Sequence, residues 1–212
     1  MAVDHVVSHR RLERADHEGF MNKRIIGAAR QHFFAHGFRN VTMDDLAREL
    51  GMSKKTLYAR FRSKTALIKA VLLEKFREID ADLQQITSDC SDVTRVLHDL
   101  LACVQRHTGE IQPPFVRDIR REAPDLFAMV ESRRRAVIQR YFGTFFDHAR
   151  KAGLIRKDVS PELIVEILLG SVQAVLNPSK LTELSLTPKT GFTAVITVIL
   201  EGVMTNTARD RR

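Results

Sequence analysis

The stretch VTMDDLARELGMSKKTLYARFRSK, residues 41–64, decides how the chain folds. Thr42 stands where an N-cap belongs, with Asp45 three residues on as a shortened capping box. Leu46, Ala47 and Leu50 give a short helix one apolar face, and Gly51 stops it. Ser53 caps the next helix, Lys54 to Arg60, and Ser63 caps another. Two short helices joined by a tight turn around a glycine have the spacing of a helix-turn-helix. Between residues 51 and 64 there are five cations and no acid. Leu57 and Phe61, four apart, point into a core, which leaves Tyr58, Arg60, Arg62 and Lys64 outside. Early residues of the second helix of such a motif meet base edges in the major groove, so Lys54, Lys55 and Thr56 are best placed to read sequence. The outer cations neutralise phosphates, and the counterions released supply affinity without sequence information.

The upstream flank extends this reading. Residues 20–36 place Met21, Ile25, Ala28, Ala29 and Phe33 at helical steps, and Gly37 fits a C-terminal stop. The formal net charge is +8, and residues 20–64 hold ten Lys or Arg against three Asp or Glu. A basic excess confined to this segment points to a polyanionic partner there. Residues 1–19 are polar and of mixed charge, with little to bury, and are expected to form a mobile tail.

Downstream, neither Gly nor Pro occurs from Lys64 to Ile86, where Leu67, Ile68, Val71, Leu72, Phe76, Ile79, Leu83 and Ile86 form one stripe. Further helices are expected near residues 93–107, 115–121, 124–151, 161–176 and 188–207, with 177–187 as a loop. The expected fold class is all-α, with about nine helices. The tail over 1–19 precedes a three-helix helix-turn-helix head over 20–66 and a larger helical body over 67–212. The last two helices are apolar around most of their girth, so they need partners on two sides. A homodimer through these helices, as a two-fold four-helix bundle, supplies the second partner.

Residues 28–71, AARQHFFAHGFRNVTMDDLARELGMSKKTLYARFRSKTALIKAV, resemble the DNA-binding region of the tetracycline-repressor-like (TetR/AcrR) family. The resemblance rests on the Ala28-Ala29 pair, Phe33, Gly37-Phe38, Val41-Thr42, Leu46-Ala47, Gly51-Met52-Ser53, Thr56-Leu57-Tyr58, Phe61 and Ser63-Lys64, in order and without gaps. It implies a homodimeric transcriptional regulator, a repressor released from a palindromic double-stranded operator by a small molecule held in the body. By the same resemblance Thr42 caps its helix onto a phosphate, Lys54, Lys55 and Thr56 lie at the groove, and Tyr58 and Lys64 meet backbone phosphate; the cap Ser53 and the outward-facing Arg60 complete the expected DNA-binding set. Lys55 replaces a residue that is usually small and Ala59 one that is usually larger.

The resemblance also implies a cavity in the body. Residues expected to line it are Phe76, Ile79, Leu83, Leu101, Val104, Phe115, Phe127, Val130, Tyr141, Phe145 and Val172, which suit a largely apolar effector. Two other functions compete: an enzyme with a DNA-targeting head, and a non-specific DNA-binding protein. Against the enzyme, the sequence has no nucleophile elbow, phosphate loop, paired metal-binding His motif or Cys-x-x-Cys. Cys103 and His107 are four apart, but with His98 at a poor angle they fall short of a metal set, so no metal or cofactor is expected. Cys90 and Cys103 are the only cysteines and no secretory leader is evident, which suits reduced thiols in a cytoplasm. The apolar run 192–204 is too short to span a bilayer and contains Glu201, so no membrane partner is expected.

Overall fold

Apolar spacing and caps produce helices throughout. A computed structural model describes the backbone of residues 2–89 and 92–205, with side chains from Glu18 onward. The elements are α1 (Ala2–His36), α2 (Met43–Glu49), α3 (Lys54–Arg60), α4 (Lys64–Thr87), α5 (Val93–Gly109), α6 (Pro113–Glu122), α7 (Pro124–Val137), α8 (Gly143–Lys151), α9 (Pro161–Val175), α10 (Pro178–Glu183) and α11 (Pro188–Val203). A π-helical turn, Ile138–Phe142, joins α7 to α8. The chain is all-α; among the described residues the only strand-like pairing is an isolated bridge between Ile155 and Met204.

Three boundaries differ from expectation. Helix α1 starts at Ala2, not near Phe20, so the backbone of residues 2–19 continues the helix. No proline interrupts that segment, so the backbone meets no helix breaker there. The segment 124–151 is not one regular helix, because the π turn adds a residue to the ladder and re-aims the face that follows. Tyr141, Phe142, Phe145 and Phe146 all turn into the body core as a result. The expected loop 177–187 contains α10, where Asn177 accepts from the Lys180 amide and Pro178 opens the first turn. Cys90 lies outside the described residues.

Two apolar cores organise the chain. The first gathers Ile25, Ala29 and Phe33 of α1, Leu46 of α2, Leu57 of α3, and Leu67, Ile68 and Val71 of α4. It also takes Phe115, Ile119 and Ala123 from α6 and its end, with Leu126 of α7. The second lies between the far half of α4, α5, α8, α9 and α11, around Leu83, Leu100, Phe142, Phe146, Ile164, Leu168 and Ile196. Helix α4, about 36 Å long at 1.5 Å per residue, runs from one core into the other.

Candidate nucleic-acid interface and effector cavity

The helix-turn-helix is set by its caps. Oγ1 of Thr42 accepts from the Asp45 amide at 3.1 Å and donates to the Asp45 carboxylate at 2.6 Å. Ser53 accepts from the Thr56 amide at 3.0 Å, and the two hydroxyls lie 2.8 Å apart. Gly51 turns the chain between α2 and α3 at φ 64°, a left-handed conformation that costs glycine little. Leu57 is fully buried and Phe61 packs against the same core, so α3 can present only its other face.

That face carries the expected DNA-binding residues, with differences between them. Lys54, Lys55 and Thr56 are exposed, and Tyr58 is 39% exposed although aromatic. Lys54 is tied to Asp44 at 2.8 Å, whereas Lys55 makes no ion pair among the described residues. Arg60 is half-buried, 3.8 Å from Glu18. Lys64 departs from its expected outward position. Its Nζ donates to the carbonyls of Phe38 and Val41 at 2.8 and 2.9 Å and lies 4.6 Å from the centre of the Phe38 ring. Burial pushes its ammonium below the ordinary lysine value. Lys64 thus ties the start of α4 to the loop between α1 and α2.

That loop is also held from the body. The Arg39 amide donates to Oδ2 of Asp118 at 3.0 Å, and Asp118 is only 6% exposed. The amide of Gln112 donates to the Phe34 carbonyl at 3.0 Å, and the rings of Phe34 and Phe115 meet edge-on, 4.9 Å apart. Asp118→Ala is expected to cost about 1–3 kcal/mol, since a part-buried amide loses its bond to a charged acceptor. A urea melt should show the loss, with faster hydrogen exchange at Arg39; unchanged exchange there would contradict the tie.

A cavity of about 180 Å³ lies between α4, α5, α6, α7 and the Phe142 region. It gathers seven of the expected lining residues: Phe76, Ile79, Leu83, Val104, Phe115, Phe127 and Val130. The other four lie elsewhere. Leu101 and Phe145 face a separate cavity of about 250 Å³ beside Leu200 and Met204, at the end of the body away from the head. Val172 borders a shallow groove with Glu131 and Arg135, and the Tyr141 hydroxyl donates to the Asp80 carboxylate at 2.6 Å. The displaced aromatics follow from the π turn, which re-aims the segment carrying them.

The 180 Å³ cavity also has polar walls that the sequence reading missed. Lys75 is 3% exposed and donates to Glu110 at 2.7 Å; Arg30 bridges Glu110 and Glu78. The signal was present, because Lys75 falls between Leu72 and Ile79 on the apolar stripe of α4. His107 is 7% exposed, with Nε2 2.7 Å from Oδ2 of Asp82, an oxygen that Arg106 also reaches at 2.7 Å. Burial pushes the His107 imidazole below its ordinary value, against the pull of that carboxylate. Cys103, a buried free thiol, brings its ligand atom within 4.8 Å of those of Asp82 and His107. Its thiol is pushed up, chiefly by burial, away from the reactive thiolate form.

A cationic helix-turn-helix carried on an all-helical body with an internal cavity defines a class: a DNA-binding regulator with room for a small molecule. Residues 25–71 match the family described as "Bacterial regulatory proteins, tetR family". The HTH-type transcriptional regulator YvaF of Bacillus subtilis (strain 168) is 23% identical over 90% of this chain and 99% of its own. A transcriptional regulator from Saccharomonospora viridis, solved in complex with choline, shares the fold at a TM-score of 0.68 and 16% identity, covering 89% of this chain and 100% of its own. SmeT, the repressor of the Stenotrophomonas maltophilia multidrug efflux pump SmeDEF, does so at 0.59 and 18%, covering 88% and 92%. Residues 25–71 thus carry the DNA-binding domain of the tetR family, and the chain as a whole is similar in sequence and fold to transcriptional regulators. This family regulates transcription and does not catalyse reactions, which sets the enzyme alternative aside. Among the described residues no helix is long and apolar enough to cross a membrane.

Proposed function

We propose that the protein is a cytoplasmic repressor that binds a palindromic operator as a homodimer and leaves it when a small, largely apolar molecule enters the 180 Å³ cavity. One observation carries the reading: the helices that wall this cavity also hold the head. Helix α4 supplies Phe76 and Ile79 to the cavity and Leu67, Ile68 and Val71 to the head core. Helix α6 supplies Val116 to the cavity and Asp118 to the loop before α2. A molecule that displaces either helix therefore moves the recognition helix. A dimer holds two such helices about 34–36 Å apart, one DNA turn, and operator affinity depends on that separation. A coupling of about 1–3 kcal/mol changes affinity about 5- to 150-fold. The complex of the S. viridis regulator with choline is consistent with an effector site in this fold.

Labour is divided near residue 66. The head over 20–66 reads DNA through Thr42, Ser53, Lys54, Lys55, Thr56, Tyr58 and Arg60, while the body over 67–212 holds the effector and the partner subunit. Apolar side chains left outward on α9 and α11 support the dimer: Leu163 is 52%, Ile167 46% and Val198 71% exposed. Selection of bound fragments from genomic DNA, followed by competition with random duplex at stated salt, tests the reading. Equal affinity for random DNA would favour a non-specific DNA-binding protein.

Lys55 and Lys64 separate contact from support. Lys55→Ala is expected to weaken binding to all duplexes and lower the salt slope by about one unit. Lys64→Ala is expected to leave the slope near that of the parent and to destabilise the head, since two carbonyls lose their donor. Fluorescence-anisotropy titrations across salt concentrations distinguish the two; equal slope changes would contradict the assignment.

A further inference from the structure

We propose that this cavity is built for a neutral, one-ring molecule bearing a hydroxyl, a small phenol or aromatic alcohol, whose O–H donates to Nδ1 of His107. The inference deepens the effector reading above and rests on it for its biological meaning, though not for its test.

The tautomer of His107 follows from its partner. A carboxylate can only accept, so the Asp82 contact places the ring proton on Nε2 and leaves Nδ1 with a lone pair. The same carboxylate makes Nδ1 a better acceptor, as outer-shell carboxylates do for other imidazoles. Nδ1 is buried and has no hydrogen-bond partner. His107 lines the cavity and Asp82 does not, and because the two nitrogens of an imidazole point away from each other, the edge carrying Nδ1 is turned from the carboxylate that Nε2 meets. A buried acceptor without a donor is uncommon in folded proteins and calls for a partner that the chain does not provide.

The charge of that partner follows from the surrounding groups. Lys75 and Arg30 are matched by Glu110 and Glu78, Arg134 by Glu131, and Arg106 by Asp82. Every cation named here already has a carboxylate, so a charged ligand would enter without a counter-charge and lose its hydration. A neutral hydroxyl loses less and gains the acceptor. The size follows from the volume: about 180 Å³ slightly exceeds an engineered apolar cavity of about 150 Å³ that takes benzene. Phe76, Phe127, Phe142 and Phe192 give it aromatic walls suited to a single ring.

The test compares 4-methylphenol with toluene, and with 4-methylbenzoate, by calorimetry on the full-length protein without DNA. The phenol is expected to bind about tenfold more tightly than toluene, the worth of one buried hydrogen bond. His107→Phe is expected to bring the two within about twofold. Because that substitution can also disturb the cavity, the wild-type protein supplies a second readout. In side-chain ¹⁵N spectra the Nδ1 resonance of His107 should move with the phenol and stay in place with toluene. Equal affinities, a preference that survives His107→Phe, or an unmoved Nδ1 resonance would overturn the proposal, as would tighter binding of the benzoate. Operator release is measured separately by anisotropy. A phenol that binds as described without releasing DNA would support this site and count against its role as the effector switch.

Discussion

The double substitution Ile167→Asp with Val198→Asp is expected to turn the protein into a single-chain species and to cost at least about 100-fold in operator affinity. The exposed faces of α9 and α11 explain both effects. Leu163, Ile167, Gly170 and Ala174 follow one another along α9 at steps of four, three and four, and all four are exposed. Ala194, Val198 and Gly202 do the same along α11 at steps of four. Added Cβ atoms at Gly170 or Gly202 would meet nothing within 4 Å, so these positions leave room for another helix to approach. In the proposed dimer two such helices from each subunit would make a four-helix contact, and a carboxylate facing its two-fold mate there would be desolvated and repelled. Losing the contact loses the second half-site, and with it an intramolecular binding step worth about 10²–10⁴. Sedimentation and anisotropy on the same sample check the two consequences. A double variant that still sediments as a dimer would place the interface elsewhere.

Gly37→Ala is expected to destabilise the protein by about 3 kcal/mol, a fall of about 6–12 °C in melting temperature for a chain of this size. Two costs add. Gly37 has φ 84°, a left-handed backbone that penalises alanine by about 1–2 kcal/mol. The new Cβ would also lie 2.6 Å from Oδ2 of Asp118 and 3.3 Å from the backbone carbon of Pro114. Relief requires the Asp118 carboxylate to swing aside or α6 to withdraw, and either breaks the Arg39 contact. Gly27→Ala is the control: it lies within α1, and its Cβ would meet nothing within 4 Å. It should stabilise by about 0.5–1 kcal/mol, because glycine is a poor residue inside a helix. Thermal melts of the two variants with opposite signs would establish the close approach of α6; a neutral Gly37→Ala would refute it.

The head was legible in the sequence because its determinants are local. Caps three residues from their targets, a glycine at the turn and the Leu57–Phe61 spacing are all read within one window, and Thr42, Ser53 and Ser63 cap as expected. Lys64 was misplaced because its partners, Phe38 and Val41, lie more than twenty residues upstream. The α6 tie was invisible for the same reason: Asp118 and Arg39 are 79 residues apart, and neither type signals such a pair. The stripe of α4 nominates Phe76, Ile79 and Leu83, and all three line the 180 Å³ cavity. A regular helix over 124–151 would put Tyr141 and Phe145 on one face of that segment; with the π turn following α7, both sit in other surroundings. The buried Lys75 and the pair of His107 with Asp82 need facing helices to be known, although Lys75 interrupts an apolar stripe in plain view.

The sharing of one core by α1 to α4 and α6 limits how this chain can be recombined. A DNA reader cut out at residue 66 would lose Leu67, Ile68 and Val71 and the Phe115 ring of α6, so Phe34 would lose its edge-on partner. Chimeras that transplant its specificity onto a foreign sensor therefore have to carry residues 113–126 along with the first seventy-two. A shared core of this kind would let reader and body be exchanged as a stitched pair, not as interchangeable cassettes.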